Sequence, residues 1–290
     1  MAADVRVLRV EDGFLRSVGL GADLVAPLSW VVDSRGIYYD PARSSDLEAL
    51  LQSAPFPPEV LARAARFRER LVAAGLTKYN VGAGQWHRPR SDKVVVLVPG
   101  QVERDASVRL GGAEVKGNLA LLQAVRRARP HAHILYKPHP DVVAGLRAAG
   151  ANELDAHEFC DEILTDVSMS ELLPHVDEVH VLTSLAGFEA LVRGKPVSTY
   201  GQPFYAGWGL TRDAAPIARR TRRLSLDALV AGVLLLYPRY ASRQGHAISA
   251  EAALDELVAW REQALAQRGA WTEAMRMPMR LLLRWTVGRN

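Results

Sequence analysis

Two potential phosphate ligands lie close together in the stretch LYKPHPDVV, residues 135–143. Lys137 and His139 are each followed by a proline, which restricts its own backbone and that of the residue before it. We expect Asp141 to cap a helix over residues 142–149, so that His139 is held near a helix N-terminus, where anions bind. The stretch therefore predicts a phosphate site. The alternative is a structural histidine bonded to a neighbouring carbonyl.

A second candidate phosphate site begins at Thr183, in the stretch TSLAGFEAL. Thr183 and Ser184 stand where a predicted strand gives way to a helix, so their hydroxyls and the first-turn N–H groups could bind phosphate oxygens. As plain N-caps they would need no ligand. Glu189, one turn into the helix, could accept hydrogen bonds from ribose hydroxyls, and an ordinary interior helix position is the equal alternative.

Three carboxylates stand where a nucleophile or a general base could act on a ligand. Glu11 and Asp12 precede Gly13 at the end of the first predicted strand, and glycine allows the backbone to turn sharply and approach a ligand. Asp105 lies on the loop PGQVERDASVRLGG after a predicted central strand. For each carboxylate the alternative is a turn-forming or helix-capping role.

These side chains need strands and helices that bring the loops together. Short β-branched runs predict strands at residues 5–10, 94–98, 132–136, 178–183 and 196–200, with another at 29–32. Amphipathic stretches predict helices at residues 57–75, 115–129, 184–193, 225–237, 249–268 and 271–285. Strands that alternate with helices indicate a doubly wound α/β arrangement with a mostly parallel sheet, whose ligands bind at the carboxyl ends of the strands.

Two irregular segments separate these elements. The glycine-rich and polar residues 80–92 mark a domain boundary. Residues 194–211 combine glycines with aromatic side chains, which is typical of a loop that lines a cleft or of a hinge between domains.

Composition narrows the class of protein. The chain has 290 residues and a formal net charge of +4, which suits an anionic ligand or membrane surface, and its arginines lack the aromatic interleaving typical of nucleic-acid binding. The single cysteine, Cys160, excludes a disulfide within the chain and a cysteine-built zinc site. The sequence has no signal-peptide pattern and no apolar run of about 18 residues, so we expect a cytoplasmic protein.

Six stretches in fixed order carry a family resemblance. EDGFLRSVGLG, PGQVERDAS, YKPHPD, TSLAGFEALVRGKPV, YGQPFYAGWGLT and RRTRRLSLDALVAG resemble the capsule polysaccharide biosynthesis proteins of KpsC type, and within these the C-terminal glycosyltransferase module. The likeness runs from about residue 5 to about residue 257. It implies a GT-B-like α/β fold of two Rossmann-type domains with no catalytic metal and no cofactor. On this basis we expect a truncated N-terminal acceptor-side domain over 1–85, a CMP-sugar-binding domain over 86–212 and a C-terminal helical segment over 213–290.

The same resemblance implies an activity. It indicates a retaining β-Kdo glycosyltransferase that moves Kdo from CMP-β-Kdo to a poly-Kdo linker on lysophosphatidylglycerol, in the biosynthesis and export of capsular polysaccharide. The expected partners are the sugar nucleotide, a lipid-linked Kdo acceptor, the inner-membrane surface and other capsule assembly proteins, and no nucleic acid. The alternatives are a truncated CMP-binding remnant or partner subunit without catalytic activity, and another GT-B enzyme such as a UDP-sugar 2-epimerase.

The resemblance also assigns roles to residues. Net retention most simply requires two displacements, and the family pattern makes Asp105 the nucleophile, with Glu11 or Asp12 as the base that deprotonates the acceptor. The groups expected to bind CMP are Lys137, His139, Thr183 and Ser184 at the phosphate and Glu189 at the ribose. The candidates for binding the Kdo carboxylate are Arg16, Arg104 and Arg109. Residues 274–289, with arginines and helically spaced leucines, either lie on the membrane surface or pack back across the domain interface.

Overall fold

The computed structural model describes residues 7–18, 25–78, 82, 84–150 and 153–267. The strands are β1 (Arg9–Asp12), β2 (Ser29–Asp33), β3 (Val95–Pro99), β4 (His133–Lys137), β5 (Glu162–Ile163), β6 (Glu178–Val181), β7 (Val197–Thr199), β8 (Arg212–Asp213), β9 (Arg239–Ala241) and β10 (Ala247–Ile248). The helices are α1 (Asp46–Ser53), α2 (Pro58–Ala73), α3 (Ala106–Gly111), α4 (Asn118–Ala128), α5 (Pro140–Val143), α6 (Met169–Leu172), α7 (Leu185–Val192), α8 (Leu226–Val230) and α9 (Ala250–Gln267). A 3₁₀ helix spans Glu153–Glu158 and a π-helix spans Ala231–Leu236.

A six-stranded sheet forms the centre of the fold. Its strands are ordered β5-β4-β3-β6-β7-β8, and every pair is parallel. All residues of β3 are buried, as expected for a strand covered on both faces. Four of the five strands predicted for a parallel sheet are confirmed here as β3, β4, β6 and β7. The two-residue strands β5 and β8 were missed because they are too short to show a period.

The first predicted strand was wrong in its pairing. Instead of a parallel strand over 5–10, β1 spans Arg9–Asp12 and pairs antiparallel with β2, in a four-stranded sheet of order β1-β2-β9-β10. Glu11 and Asp12 therefore lie within the strand rather than after it. Gly13 donates its N–H to the Ser29 carbonyl at 2.8 Å, and a Cβ on Gly13 would lie 2.2 Å from Ser29 Oγ. Gly13 therefore allows the backbone to pack closely against β2. The strand predicted over 29–32 is confirmed as β2.

The C-terminal helices complete the part of the fold that contains β1 and β2. Helix α8 and the π-helix contact α2, the π-helix also contacts α1, and β9 pairs with β2. The single helix predicted over 225–237 is divided between α8 and the π-helix, where a Cβ on Gly232 would lie 2.5 Å from Leu51 Cδ2. The helix predicted over 271–285 lies outside the described residues. The domain boundaries at 85 and 212 stay a prediction.

One apolar core joins both sheets. Its buried side chains come from β2, from α1 and α2, from the parallel sheet and from the C-terminal helices, and include Val31, Leu47, Phe67, Leu97 and Leu229. A second cluster covers the other face of the parallel sheet against α4. Within the part of the chain that the structure describes, no helix combines the length and apolar character needed to cross a membrane.

In the N-terminal part of the chain, residues close to the ends of helices line the cavity described below. Helix α2 begins at Pro58, whose fixed φ suits the first helical position and whose missing N–H would have no partner there. The chain turns away from the end of this helix at Gly75, which lies in the left-handed region (φ 58°). The residues that follow, Thr77 and Lys78, reach the carboxyl edge of the parallel sheet. Between β2 and α1, Tyr38 and Tyr39 reach the same edge.

Candidate functional site

A cavity of about 180 Å³ opens at the carboxyl end of the parallel sheet. Loops after β3, β4 and β6 form one side, where a doubly wound fold binds its ligands. The N-terminal part of the chain and residues 203–204 form the other. Six of the side chains predicted from the sequence line this cavity: Asp105, Lys137, His139, Thr183, Ser184 and Glu189.

The turn after β4 differs in detail from its prediction. Helix α5 begins at Pro140 and has four residues, and its N-cap is His139 rather than Asp141. The His139 Nδ1 accepts the Asp141 N–H at 3.2 Å. The expected helix over 142–149 stops early, because the chain turns at Gly145 (φ 68°). His139 is therefore positioned by the backbone, as the prolines predicted.

His139 is a hydrogen-bond donor rather than a cation at neutral pH. Burial lowers its pKa to about 4, and the nearby charges of Lys78, Arg147 and Lys137 act in the same direction. Because Nδ1 accepts from the backbone, the proton of the neutral ring lies on Nε2. Lys137, with 8% of its surface exposed, supplies positive charge at the same turn. Burial lowers the pKa of Lys137, and the charge of Asp166 partly counteracts this.

Thr183 is already engaged by a residue that the sequence did not indicate. The Thr183 N–H donates to Gln101 Oε1 at 3.0 Å, and Gln101 Nε2 donates to Thr183 Oγ1 at 3.1 Å. Ser184 is the N-cap of α7, and its Oγ accepts the Ala186 N–H at 3.2 Å. The Thr183 N–H is therefore engaged by Gln101, and the pair fixes the position of the start of α7.

Asp105 stands at the first position before α3 and lines the cavity. Within the described residues its carboxylate makes no capping hydrogen bond to that helix. Burial raises the pKa of Asp105, although the charges of Arg147 and Lys78 oppose this. Glu103, on the same loop, has a structural role instead, because its Oε1 accepts the N–H of Asn118 at the start of α4 at 2.7 Å. Asp105 is thus the acid of this loop that lines the cavity without a capping hydrogen bond to α3 among the described residues.

Glu189 connects α7 to the N-terminal part of the chain. Its Oε1 accepts the Lys78 N–H at 2.7 Å. Burial raises the pKa of Glu189, while the charges of Arg193 and Lys78 oppose the rise. A ribose hydroxyl bound here would share the carboxylate with that backbone N–H.

The acid-acid-glycine segment lies outside the cavity lining that the described residues form. Arg16, with 6% of its surface exposed, donates to Asp12 Oδ2 and to Ser17 Oγ. Glu11 Oε1 accepts the Asp12 N–H at 2.9 Å. Burial raises the pKa of Tyr39, which lines the cavity, and the charge of Glu11 raises it further. The charge of Glu11 therefore acts on one side chain of the cavity lining, Tyr39.

The arginines expected at a sugar carboxylate are not brought to the cavity. Arg104 and Arg109 are exposed, and Arg16 is buried against Asp12. Among the described residues, the cations that line the cavity are Lys78 and Lys137. Sequence reasoning missed Lys78, and the only signal was its position just before the predicted domain boundary.

An aromatic wall is the other feature that sequence reasoning largely missed. Tyr38, Tyr39 and Phe204 line the cavity, with ring centroids 5.3 Å apart for the tyrosine pair and 5.6 Å apart for Tyr38 and Phe204. Phe204 lies in the segment predicted to be a cleft-lining loop or a hinge, and the structure shows that it lines the cleft. The adjacent tyrosines in GIYYD were the available signal for the rest.

Curated relatives come from capsule and lipopolysaccharide systems. The chain is 49% identical over 255 residues to the capsule polysaccharide modification protein LipA of Neisseria meningitidis serogroup A / serotype 4A, a match covering 88% of this chain and 36% of that protein. It is 46% identical over 242 residues to the lipopolysaccharide-processing protein LpsZ of Rhizobium meliloti, covering 82% of this chain and 55% of that protein. The chain thus spans about a third to about half the length of these relatives.

Two solved structures share the fold. One is Thermosulfurimonas dismutans KpsC, beta Kdo 2,7 transferase, with 47% identity, a TM-score of 0.76, and coverage of 90% of this chain and 80% of that chain. The other is Thermosulfurimonas dismutans KpsC, beta Kdo 2,4 transferase, with 38% identity, a TM-score of 0.79, and coverage of 87% and 79%. The GT-B-like α/β fold is confirmed. Residues 1–81 and 60–240 match the family described as capsule polysaccharide biosynthesis protein, and the chain belongs to that family.

Proposed function

We propose that the chain is a retaining, metal-independent glycosyltransferase that moves Kdo from CMP-β-Kdo to a Kdo-terminated acceptor in capsular polysaccharide biosynthesis. The observation that carries the proposal is the cavity at the carboxyl end of the parallel sheet, where Asp105 shares one lining with Lys137, His139 and the start of α7. The likeness to two KpsC Kdo transferases supports the choice of sugar.

The phosphate of the donor would be bound at the turn after β4 and at the start of α7. Lys137 supplies positive charge, and neutral His139 supplies its Nε2–H. The first-turn N–H groups of α7 add the positive end of a helix dipole, and Gln101 with Thr183 holds that helix start in place. These groups stabilise the negative charge that develops on CMP as it leaves.

Transfer would proceed by two displacements at the anomeric carbon. In the first, an Asp105 oxygen bonds to that carbon, the bond to the phosphate oxygen breaks, and CMP leaves with the electron pair. In the second, an acceptor hydroxyl oxygen bonds to the same carbon, the bond to Asp105 breaks, and a base takes the hydroxyl proton. Partial burial removes water from the Asp105 carboxylate, while Arg147 and Lys78 favour its ionised form.

The base would come from the acid-acid-glycine segment. Asp12 is paired with Arg16, whereas the charge of Glu11 acts on Tyr39 in the cavity lining. We therefore favour Glu11 as the base and retain Asp12 as the alternative.

The carboxylate of the sugar acid needs a cation of its own. We assign it to Lys78, because Lys78 lines the cavity and its charge acts on Asp105, His139 and Glu189 together. Arg16, Arg104 and Arg109 were the sequence-based candidates, and their positions support that role less well.

The acceptor in the cell would be the poly-Kdo linker on lysophosphatidylglycerol, built before capsule export. Contact with the inner-membrane surface and with other capsule assembly proteins belongs to the same proposal. The tail at 274–289 that prompted the membrane contact lies outside the described residues.

Incubation with CMP-Kdo and a Kdo-terminated acceptor tests the proposal. We expect the acceptor to gain the mass of Kdo, and NMR of the product to show a β-configured 2,7 or 2,4 linkage. Identity is higher to the 2,7 transferase and the TM-score is higher for the 2,4 transferase, so both linkages agree with the proposal. CMP binding without product would favour a non-catalytic protein, and selective binding of UDP would favour a UDP-sugar enzyme.

A further inference from the structure

The arginine run RRTRR, residues 219–223, is largely bound within the fold. The Arg220 side chain has 3% of its surface exposed, and its guanidinium lies 5.5 Å from the ring centroid of Trp208. Arg222 donates to the carbonyls of Leu51 and Ala54. Arg220 and Arg222 are therefore engaged within the fold, and the partners of Arg219 and Arg220 point to a structural role.

Glu48 of α1 is the shared partner of two of these arginines. Its carboxylate accepts from Arg219 Nε and Nη2, and from Arg220 Nε at 2.9 Å. Glu48 has 6% of its surface exposed. Burial on its own would raise the pKa of Glu48, but the hydrogen bonds and charges of Arg219 and Arg220 hold it below the usual value. Glu48 and Arg220 are buried and Arg219 closes the group from the surface, and the three side chains are here called the Glu48 cluster.

Arg220 connects the Glu48 cluster to the loop that carries Phe204. Its Nη1 donates to the carbonyls of Pro203 at 2.7 Å and Ala206 at 2.8 Å, on either side of the phenylalanine. Gly207, in the left-handed region at φ 85°, passes so close that an added Cβ would lie 3.1 Å from Arg220 Cδ. The loop conformation at the cavity thus depends on this guanidinium.

Arg219 connects the same cluster to the opposite part of the aromatic wall. Its Nη2 donates to the carbonyl of Pro41 and, at 3.4 Å, to that of Arg43. These carbonyls lie two and four residues after Tyr39 in the chain. One carboxylate therefore organises the two segments that supply the aromatic lining.

We propose that Glu48, Arg219 and Arg220 are positioning residues that hold Tyr38, Tyr39 and Phe204 in register across the substrate cavity. Aromatic rings contact a ligand through broad, weakly directional surfaces, so the backbone that bears them must set their spacing. The two arginines supply this constraint at four carbonyl groups. The identity of the ligand rests on the proposed function, whereas the positioning role does not.

Hydrogen exchange measured by mass spectrometry tests the role without substrate. Arg219→Lys should speed exchange in peptides covering 38–43 alone, and Arg220→Lys in peptides covering 203–208 alone. Glu48→Gln should speed exchange about tenfold or more in both groups of peptides. Without the shared ionic group, local opening of either segment costs less free energy. Asp227→Asn is the matched control, since it breaks the Arg68–Asp227 ion pair between α2 and α8, away from the cavity.

Steady-state kinetics provide a second test of the positioning role. For Arg220→Lys we expect KM for at least one substrate to rise about fivefold with kcat within about twofold, which is the signature of lost binding that is equal in the ground state and the transition state. Asp227→Asn should leave both constants unchanged. Exchange that rises evenly over the chain in Glu48→Gln, or unchanged KM in Arg220→Lys, would overturn the proposal. If the wild-type protein transfers no sugar, the proposed function fails, and the exchange pattern alone decides the positioning role.

Discussion

The backbone N–H of Lys78 donates to Glu189 Oε1 at 2.7 Å, across 111 residues of sequence. On its other side, the Lys78 carbonyl accepts the Ser17 N–H at 3.4 Å. This short segment after α2 therefore contacts both the acid-acid-glycine region and helix α7. The cavity lies where these three parts of the chain meet, which explains why its lining combines distant residues.

Replacing Asp105 with asparagine tests the nucleophile. Asp105→Asn keeps the size of the side chain and removes the charge that would attack the anomeric carbon. We expect the transfer rate to fall by at least about 10³-fold, with CMP affinity changed by no more than about threefold. Initial rates from product mass and calorimetric titration with CMP measure the two quantities.

The control for this change is Asp92→Asn, an exposed aspartate before β3, which should retain full activity. Mass spectrometry of the wild-type protein after brief exposure to CMP-Kdo should also locate a Kdo adduct on the peptide that contains Asp105. Near-native turnover by Asp105→Asn would contradict the double-displacement assignment.

Replacing Lys78 is expected to weaken binding of CMP-Kdo but not of CMP alone. Lys78→Met should raise KM for CMP-Kdo about tenfold or more, because a hydrogen bond to a charged group contributes about 1.5–3 kcal/mol. Affinity for CMP alone should stay within about twofold, and Lys78→Arg should restore much of the loss. Lys93→Met, exposed at the opposite end of β3, is the control. Equal weakening of CMP and CMP-Kdo would place the ammonium at the phosphate instead.

Gln101 should matter for both stability and nucleotide binding. Gln101→Leu keeps the approximate volume but leaves the N–H and hydroxyl of buried Thr183 unpaired, which should lower the free energy of unfolding by about 1–3 kcal/mol. CMP affinity should fall as the start of α7 loosens. Urea denaturation and CMP titration measure the two effects.

An exposed glutamine–threonine pair offers a matched control for Gln101→Leu. Gln52 Nε2 donates to Thr221 Oγ1 at 2.9 Å on the surface, and Gln52→Leu should change the free energy of unfolding by less than about 0.5 kcal/mol. Similar losses in the two variants would show that burial of Thr183 does not set the effect.

Because of His139, the free energy of unfolding should fall as the pH is lowered into the mildly acidic range. Burial lowers its folded pKa to about 4, so between that value and the unfolded pKa near 6.5 the unfolded chain binds more protons. Stability is therefore lost as pH falls through this window. From pH 7 to pH 5 the wild type should lose about 2 kcal/mol more than His139→Asn, which retains a capping acceptor without titrating.

Urea denaturation at the two pH values measures this difference. Because the comparison is between variant and wild type, the contribution of His180, whose pKa is also lowered by burial, cancels. An equal loss in both proteins would mean that folding does not shift the pKa of His139, as for a well-solvated ring.

The local sequence determined the parallel sheet and the turns for which we propose phosphate binding. Continuous apolar runs at β3, β4, β6 and β7 require burial on both faces, and this requirement can be read from a few adjacent residues. Proline beside Lys137 and His139, and hydroxyls at the start of α7, likewise act within a few residues of themselves. The prediction of α5 erred only in its start and length, because a single turn carries too little pattern to define its ends.

Long-range contact decided the rest of the site. No local pattern pairs β1 antiparallel with β2 or places Gln101 against Thr183. Nor does one bring residues 38–39 and 77–78 to a cavity whose remaining lining begins at Pro99. An alternating or apolar period predicts that one face of a strand or helix is buried, but it does not predict which segment of the chain covers that face. The six predicted side chains came together because the carboxyl ends of parallel strands share one edge. Lys78 and the two tyrosines of the aromatic wall come from segments that reach that edge only when the two sheets pack on one core, so tertiary structure alone revealed them.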